Sequence, residues 1–163
     1  MKGMIVIMAI RTIRIDEDPI LRKISRPVVR FDISLHTLLN DMEETMRNAM
    51  GVGLAAPQIG ILKRIFIIDI GEGLIEFINP QIISDEGEQV GDEGCLSLPN
   101  RYGVVSRPNT VTIKAQDRNG TYFELTKSEL FARAICHEND HLDGKIFSDF
   151  VIGELNYTNN EDE

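Results

Sequence analysis

No stretch of this sequence is apolar for long enough to cross a bilayer as a helix. The opening "MKGMIVIMAI" has too short an apolar region for a secretory signal and lacks an A-x-A cleavage site. No membrane partner and a cytosolic location are therefore expected. Positive charge is also scarce. With 17 Lys and Arg against 26 Asp and Glu, the net charge of −9 argues against direct nucleic-acid recognition, which needs clustered cations. Cysteine is scarcer still. Cys95 and Cys136 could pair in an exported protein, but in a reducing compartment thiols are more often metal ligands, catalytic groups or core packing. There is no repeat and no linker, so the 163 residues are read as one domain, 1–163, large enough to bury a core without staples.

What is present reads as alternating helix and strand signals. Asp32 is placed to cap a helix whose apolar residues Leu35, Leu38, Leu39, Met42, Met46 and Ala49 recur at helical spacing, with Gly51 as its stop. His36 falls off that stripe and reads as a surface residue. "RIFIIDI" and "IEFINP" read as strands, and "SDEGEQVGDEGCLSLPN" as a polar loop turning apolar at Cys95. "NTVTIKAQDRNGTYFELTK" alternates around a Gly-containing turn, which predicts a hairpin. The tail 156–163, "NYTNNEDE", reads as disordered. The expected class is α+β, with antiparallel sheets packed around one central buried helix.

That helix carries the chemistry. In "ICHENDHLDG", His137 and His141 are four residues apart and so lie on one helical face, with Glu138 beside them. This is the H-E-x-x-H pattern, in which the histidines bind a metal and the glutamate is the general base. A solvated polar face would need polar neighbours, whereas Leu130, Phe131, Ala132, Ala134, Ile135 and Cys136 surround the helix with apolar groups. Thr126 and Glu129 have the spacing of a capping box at its start. Two imidazoles and a carboxylate buried without partners would cost several kcal/mol, at about 1–3 for each neutral group. A metal removes that cost.

A catalytic site of this kind needs a third protein ligand and an open position. The extended H-E-x-x-H-x-x-G-x-x-H pattern fails at Phe147, and Glu154, Glu161 and Glu163 carry no supporting pattern. Cys136 projects about 100° away from His137 around the helix, given roughly 3.6 residues per turn, and reads as a packing thiol. Cys95 in "EGCLS" is free to approach. Gly51 and Gly53, in "GVGLAAPQIG", suit close approach by an extended peptide, and that stretch lacks the Lys-Ser/Thr of a phosphate-binding loop.

The stretches "GVGLAAPQIG", "EGCLS" and "HENDH", in this order and at these separations, resemble the three motifs of the peptide deformylases. "DPILRK" and "RPNTVTIKAQDRNG" add to the resemblance, which covers nearly the whole chain. It implies a bacterial or organellar hydrolase that removes the formyl group from the N-terminal formylmethionine of nascent peptides and releases formate. It also implies Cys95, His137 and His141 as metal ligands, Glu138 as general base and acid, and Gln58 with the Leu96 N–H as oxyanion donors. The metal implied is Fe2+, with Zn2+, Ni2+ or Co2+ able to replace it. Cys136 stands where the family often has glutamine, and residues 1–7 look like an extension before a familiar start at Met8. The acidic ending would be repelled by ribosomal RNA, so docking on the ribosome would need another surface. The competing readings are another H-E-x-x-H metallohydrolase, an aminopeptidase or amidase, and a structural metal module.

Overall fold

The computed structural model describes residues 9–158, so the expected extension 1–7 and the last five positions of the tail lie outside the described residues. After a 3-10 turn at Pro19–Arg22, Asp32 caps helix α1, Ile33–Asn48, by accepting from the Leu35 N–H at 3.1 Å. Leu35, Leu38, Leu39, Met42 and Met46 are buried along its inner face. Gly51 is not the residue that stops it. Exposed Met50 takes the left-handed conformation, φ 55°, and the N–H groups of Met50 and Gly51 close on the Arg47 and Met46 carbonyls. His36 is tied down rather than free, with Nε2 2.8 Å from the Arg118 carbonyl oxygen.

The strands are β1 (Gly53–Ala55), β2 (Ile65–Ile68), β3 (Ile75–Glu86), β4 (Gln89–Cys95), β5 (Leu98–Arg107), β6 (Thr110–Gln116), β7 (Tyr122–Ser128) and β8 (Ile152–Tyr157). One antiparallel sheet has the order β1-β2-β3-β6-β7 and a second the order β4-β5-β8, which gives the α+β class expected from the sequence. Strand β2 is buried on both faces because the five-stranded sheet is covered twice. Ile65 and Ile67 meet α1, while Phe66 and Ile68 meet helix α2, Glu129–Leu142. Its packing partners include Phe131, Ala132, Ile135 and Cys136 on α2, with Phe77, Val111, Ile113 and Ala115 from the sheet. Leu130 alone of the expected helix core is exposed, at 53%.

Three expectations about the chain need correction. The "polar loop" is the end of β3, a turn at Gly87 and the whole of β4. Its strands have one solvated face, so polar residues mask the pattern. The capping box does not form: Thr126 is in β7, Ser128 precedes the helix, and no side chain caps it. The tail is ordered further than expected. Asn156 and Tyr157 pair with Tyr102 and Arg101 of β5, and the Thr158 N–H reaches the Asn100 carbonyl at 2.8 Å. Ladder bonds are made by the backbone, which a polar sequence supplies equally well.

The β4–β5 hairpin positions the chemistry. Its register runs evenly from Gln89↔Arg107 to Gly94↔Tyr102, then jumps to Cys95↔Leu98. The irregularity leaves Leu96 and Ser97 as a tight turn beyond Cys95. Bulges of this kind re-aim side chains next to active sites.

Candidate metal centre

Cys95, at the end of β4, and His137 and His141, on α2, come together. One donor atom from each lies within 4.8 Å of the others, and Cys95 Sγ is 3.4 Å from His141 Nε2. His137 Nδ1 is 2.8 Å from Glu93 Oε1, which leaves its Nε2 for the centre. Burial holds His141 well below the usual imidazole range, with His137 adding to the effect, which favours the neutral ring, the form that ligates metals. A thiol sulfur and two imidazole nitrogens at this separation suit a first-row divalent ion. Cys136 is not among them. It packs in the core, and burial pushes its thiol up to about 11. Phe147, at the position where the extended pattern would have its third histidine, is buried with its ring 6.1 Å from that of His137.

Glu138 and Gln58 face the same cavity, about 530 Å³, which is also lined by Gly51, Gly53 and Leu96. Glu138 Oε1 is 4.0 Å from His137 Nε2, and Oε2 is buried with no hydrogen-bond partner among the described residues. Burial pushes this carboxyl up to about 7. Gln58 is 1% exposed and held at both ends of its amide: Oε1 accepts from the Ala55 N–H at 2.9 Å, and Nε2 donates to Ser97 Oγ at 3.1 Å. Its Nε2 is also 3.5 Å from Cys95 Sγ. All eight residues singled out from the sequence therefore border one site.

The glycines line the cavity, but their missing side chains also make room for the protein's own groups. A Cβ at Gly53 would stand 2.7 Å from Glu138 Oε1, and one at Gly51 would stand 2.8 Å from Leu96 Cδ1. Leu96 can turn its flexible end away, whereas Glu138 is buried. Gly53→Ala is accordingly expected to displace the Glu138 carboxylate and lower kcat by about 10- to 100-fold, as misplacements approaching 1 Å do, with metal content unchanged. Steady-state kinetics beside metal analysis checks this.

Glu93 and the arginines around it were missed in the sequence. Arg107 donates to both Glu93 oxygens, at 2.8 and 2.9 Å, and to Asp140 at 2.7 Å, while Arg133 donates to Glu93 at 2.6 Å. Burial alone would raise the Glu93 pKa, but the hydrogen bonds from Arg107 and His137 outweigh it and hold the carboxylate at about 2. The available signal was Arg133, a cation inside the apolar run "LFARAI", which needs a buried anion. Glu93 fixes the His137 ring, so Glu93→Gln should weaken metal binding about 10- to 100-fold, as outer partners of ligating histidines do. Competition with a chelator measures it.

The sequence profile of the polypeptide deformylase family matches residues 10–155. The peptide deformylase of Alkaliphilus metalliredigens is 56% identical over 147 residues, covering 90% of this chain and 100% of that protein. That of Caldicellulosiruptor bescii is 58% identical over 145 residues, covering 89% and 87%. The crystal structure of a peptide deformylase from Legionella pneumophila superposes with a TM-score of 0.86 at 50% identity, covering 88% of this chain and 87% of that one. With matches of this extent in sequence and in fold, the chain belongs to the polypeptide deformylase family, metal-dependent hydrolases that remove the formyl group from the N-terminal methionine of newly made polypeptides.

Proposed function

We propose that Cys95, His137 and His141 hold a single divalent ion, natively Fe2+ and replaceable by Zn2+, Ni2+ or Co2+, and that α2 is the central element around which the site is built. The observation that carries this reading is the convergence of one sulfur and two imidazole donors within 4.8 Å, beside the buried Glu138 carboxylate, whose Oε2 has no hydrogen-bond partner among the described residues. When bound, the ion supplies a positive charge that makes water acidic enough to serve as nucleophile near neutral pH. Glu138 takes the proton from that water and returns it to the leaving amine, a role suited to a carboxyl held near neutrality. Gln58 Nε2 and the Leu96 N–H receive the oxyanion that develops on the formyl oxygen. Gly51 and Gly53 let the substrate backbone come close along the cavity wall.

The physiological substrate is then an N-formylmethionyl nascent chain met in the bacterial cytosol or an organelle, with the whole chain acting as one catalytic domain. Among the described residues, no helix is long and apolar enough to cross a membrane. Formate release from formyl-Met-Ala-Ser by anaerobically purified protein tests the reading. Turnover of the formyl peptide, with Met-Ala-Ser left intact, is expected. Cleavage of the unformylated peptide without formate release would instead favour an aminopeptidase.

A further inference from the structure

The two groups assigned to the oxyanion come from different sheets. Gln58 follows β1 of the five-stranded sheet, and Leu96 sits on the β4–β5 turn of the three-stranded one. Both must face the same oxygen atom, so their relative position has to be held to a fraction of an ångström. Ser97 is placed to hold it. Its Oγ accepts from Gln58 Nε2 at 3.1 Å, and the residue is wholly buried. Because Gln58 Oε1 accepts from the Ala55 N–H, a donor only, the amide cannot turn over without setting Nε2 against that N–H and losing the bond.

The main chain adds a second tie at the same place. The Arg14 N–H donates to the Gln58 carbonyl at 2.7 Å, and two residues later the Asp16 N–H donates to the Ser97 carbonyl at 2.8 Å. The Asp16 carboxylate pairs with Arg101 on β5. Asp16 itself is left-handed, φ 56°, a conformation that aspartate tolerates better than most residues. Upstream, the segment is fixed to α1: the Ala9 N–H donates to Asp41, and the Arg11 N–H donates to Thr45 Oγ1. The segment 9–16 thus links α1, the Gln58 turn and the Ser97 turn in sequence.

We propose that Ser97 is a positioning residue for the reaction: its hydroxyl, backed by the Arg14–Asp16 backbone clasp, sets the Gln58 carboxamide against the Leu96 N–H so that both donors address one oxyanion. This rests on the assignment of Gln58 to the oxyanion. Loss of the hydroxyl should leave the Gln58 carboxamide held by its Ala55 bond alone, so that Nε2 is no longer fixed and oxyanion stabilisation weakens while the metal ligands and the cavity walls stay in place. The effect belongs in kcat, because the donors act on charge that develops only during reaction.

A double-mutant cycle tests this, with Ser97→Ala, Gln58→Leu and the pair, each checked for metal content and melting temperature. Ser97→Ala is expected to lower kcat about 10- to 100-fold with KM within about threefold, and to cost less than about threefold more in the Gln58→Leu background, since residues that act through one another are not additive. Side-chain amide NMR of the zinc-loaded protein supplies a readout independent of turnover. The Gln58 amide pair, identified by its absence in Gln58→Leu, should shift toward exposed-glutamine values in Ser97→Ala. Normal kcat in Ser97→Ala, an unmoved amide signal, or fully additive losses would overturn the proposal while leaving the oxyanion reading intact. Normal kcat in Gln58→Leu would overturn both.

Discussion

Replacing Glu138 by glutamine is expected to leave the metal in place and remove most of the turnover. The side chain donates no ligand atom to the Cys95, His137 and His141 cluster, so the isosteric amide should leave ion affinity nearly unchanged. Glutamine cannot accept a proton and later give it back, and loss of general acid–base catalysis costs ~10²–10⁴-fold in rate. The substitution also suits the packing: Gly53 leaves room for a side chain of this shape, and the amide replaces a carboxylate whose ionisation burial already opposes. Metal analysis and single-turnover formate release on the same preparation decide the matter. A metal-loaded Glu138→Gln variant with near-normal kcat would remove this residue from the mechanism.

The second large effect separates the two thiols. Cys95→Ser should lose the ion, falling below about a tenth of parental occupancy, because a neutral alcohol is a poor substitute for a thiolate that is both ligand and charge. Cys136→Ser should keep it. Cys136 lies in the core with Phe131, Ala132 and Ile135, so its replacement introduces a polar group there and costs about 1–3 kcal/mol of stability instead. The pair therefore gives opposite signatures: metal loss with the fold retained for one, and a lowered melting temperature with metal retained for the other. Equal metal content in both variants would overturn the assignment of Cys95.

The candidate metal cluster and Glu138 were legible because they sit in local patterns that physical chemistry makes unusual, whereas Gln58 and Leu96 entered only through the resemblance to the family's motifs. Two histidines and a glutamate within an apolar helix require a partner, and the failure of the downstream positions to supply one directs attention to Cys95. The residues that organise the site were less visible. Glu93, Arg107 and Asp140 are far apart in sequence and look like ordinary surface charges until β4, β5 and α2 bring them within hydrogen-bond distance. The same limit applied to the fold. Strand β2 announced itself as an unbroken apolar run, whereas β4 and β8 have solvated faces and polar sequences, and their pairing follows from backbone bonds that leave no compositional trace. The end of α1 was misplaced by one residue because glycine was expected where Met50 takes the left-handed turn.

The jump in register at the end of the β4–β5 hairpin constrains how the chain can vary in length. Between Gly94↔Tyr102 and Cys95↔Leu98, one step along β4 corresponds to four along β5, so Pro99, Asn100 and Arg101 are slack that the ladder takes up at a single point. Successive strand residues face opposite sides of a sheet, so an insertion or deletion earlier in β4 would turn the sulfur of Cys95 away from the histidines. Length changes absorbed between Leu98 and Tyr102 would leave it where it is. Natural or engineered insertions in this hairpin should therefore be borne on the β5 side of the turn, with the spacing from Glu93 to Ser97 kept at its present length, because those five residues carry the histidine's anchor, the sulfur and both backbone contacts of the turn in a fixed phase.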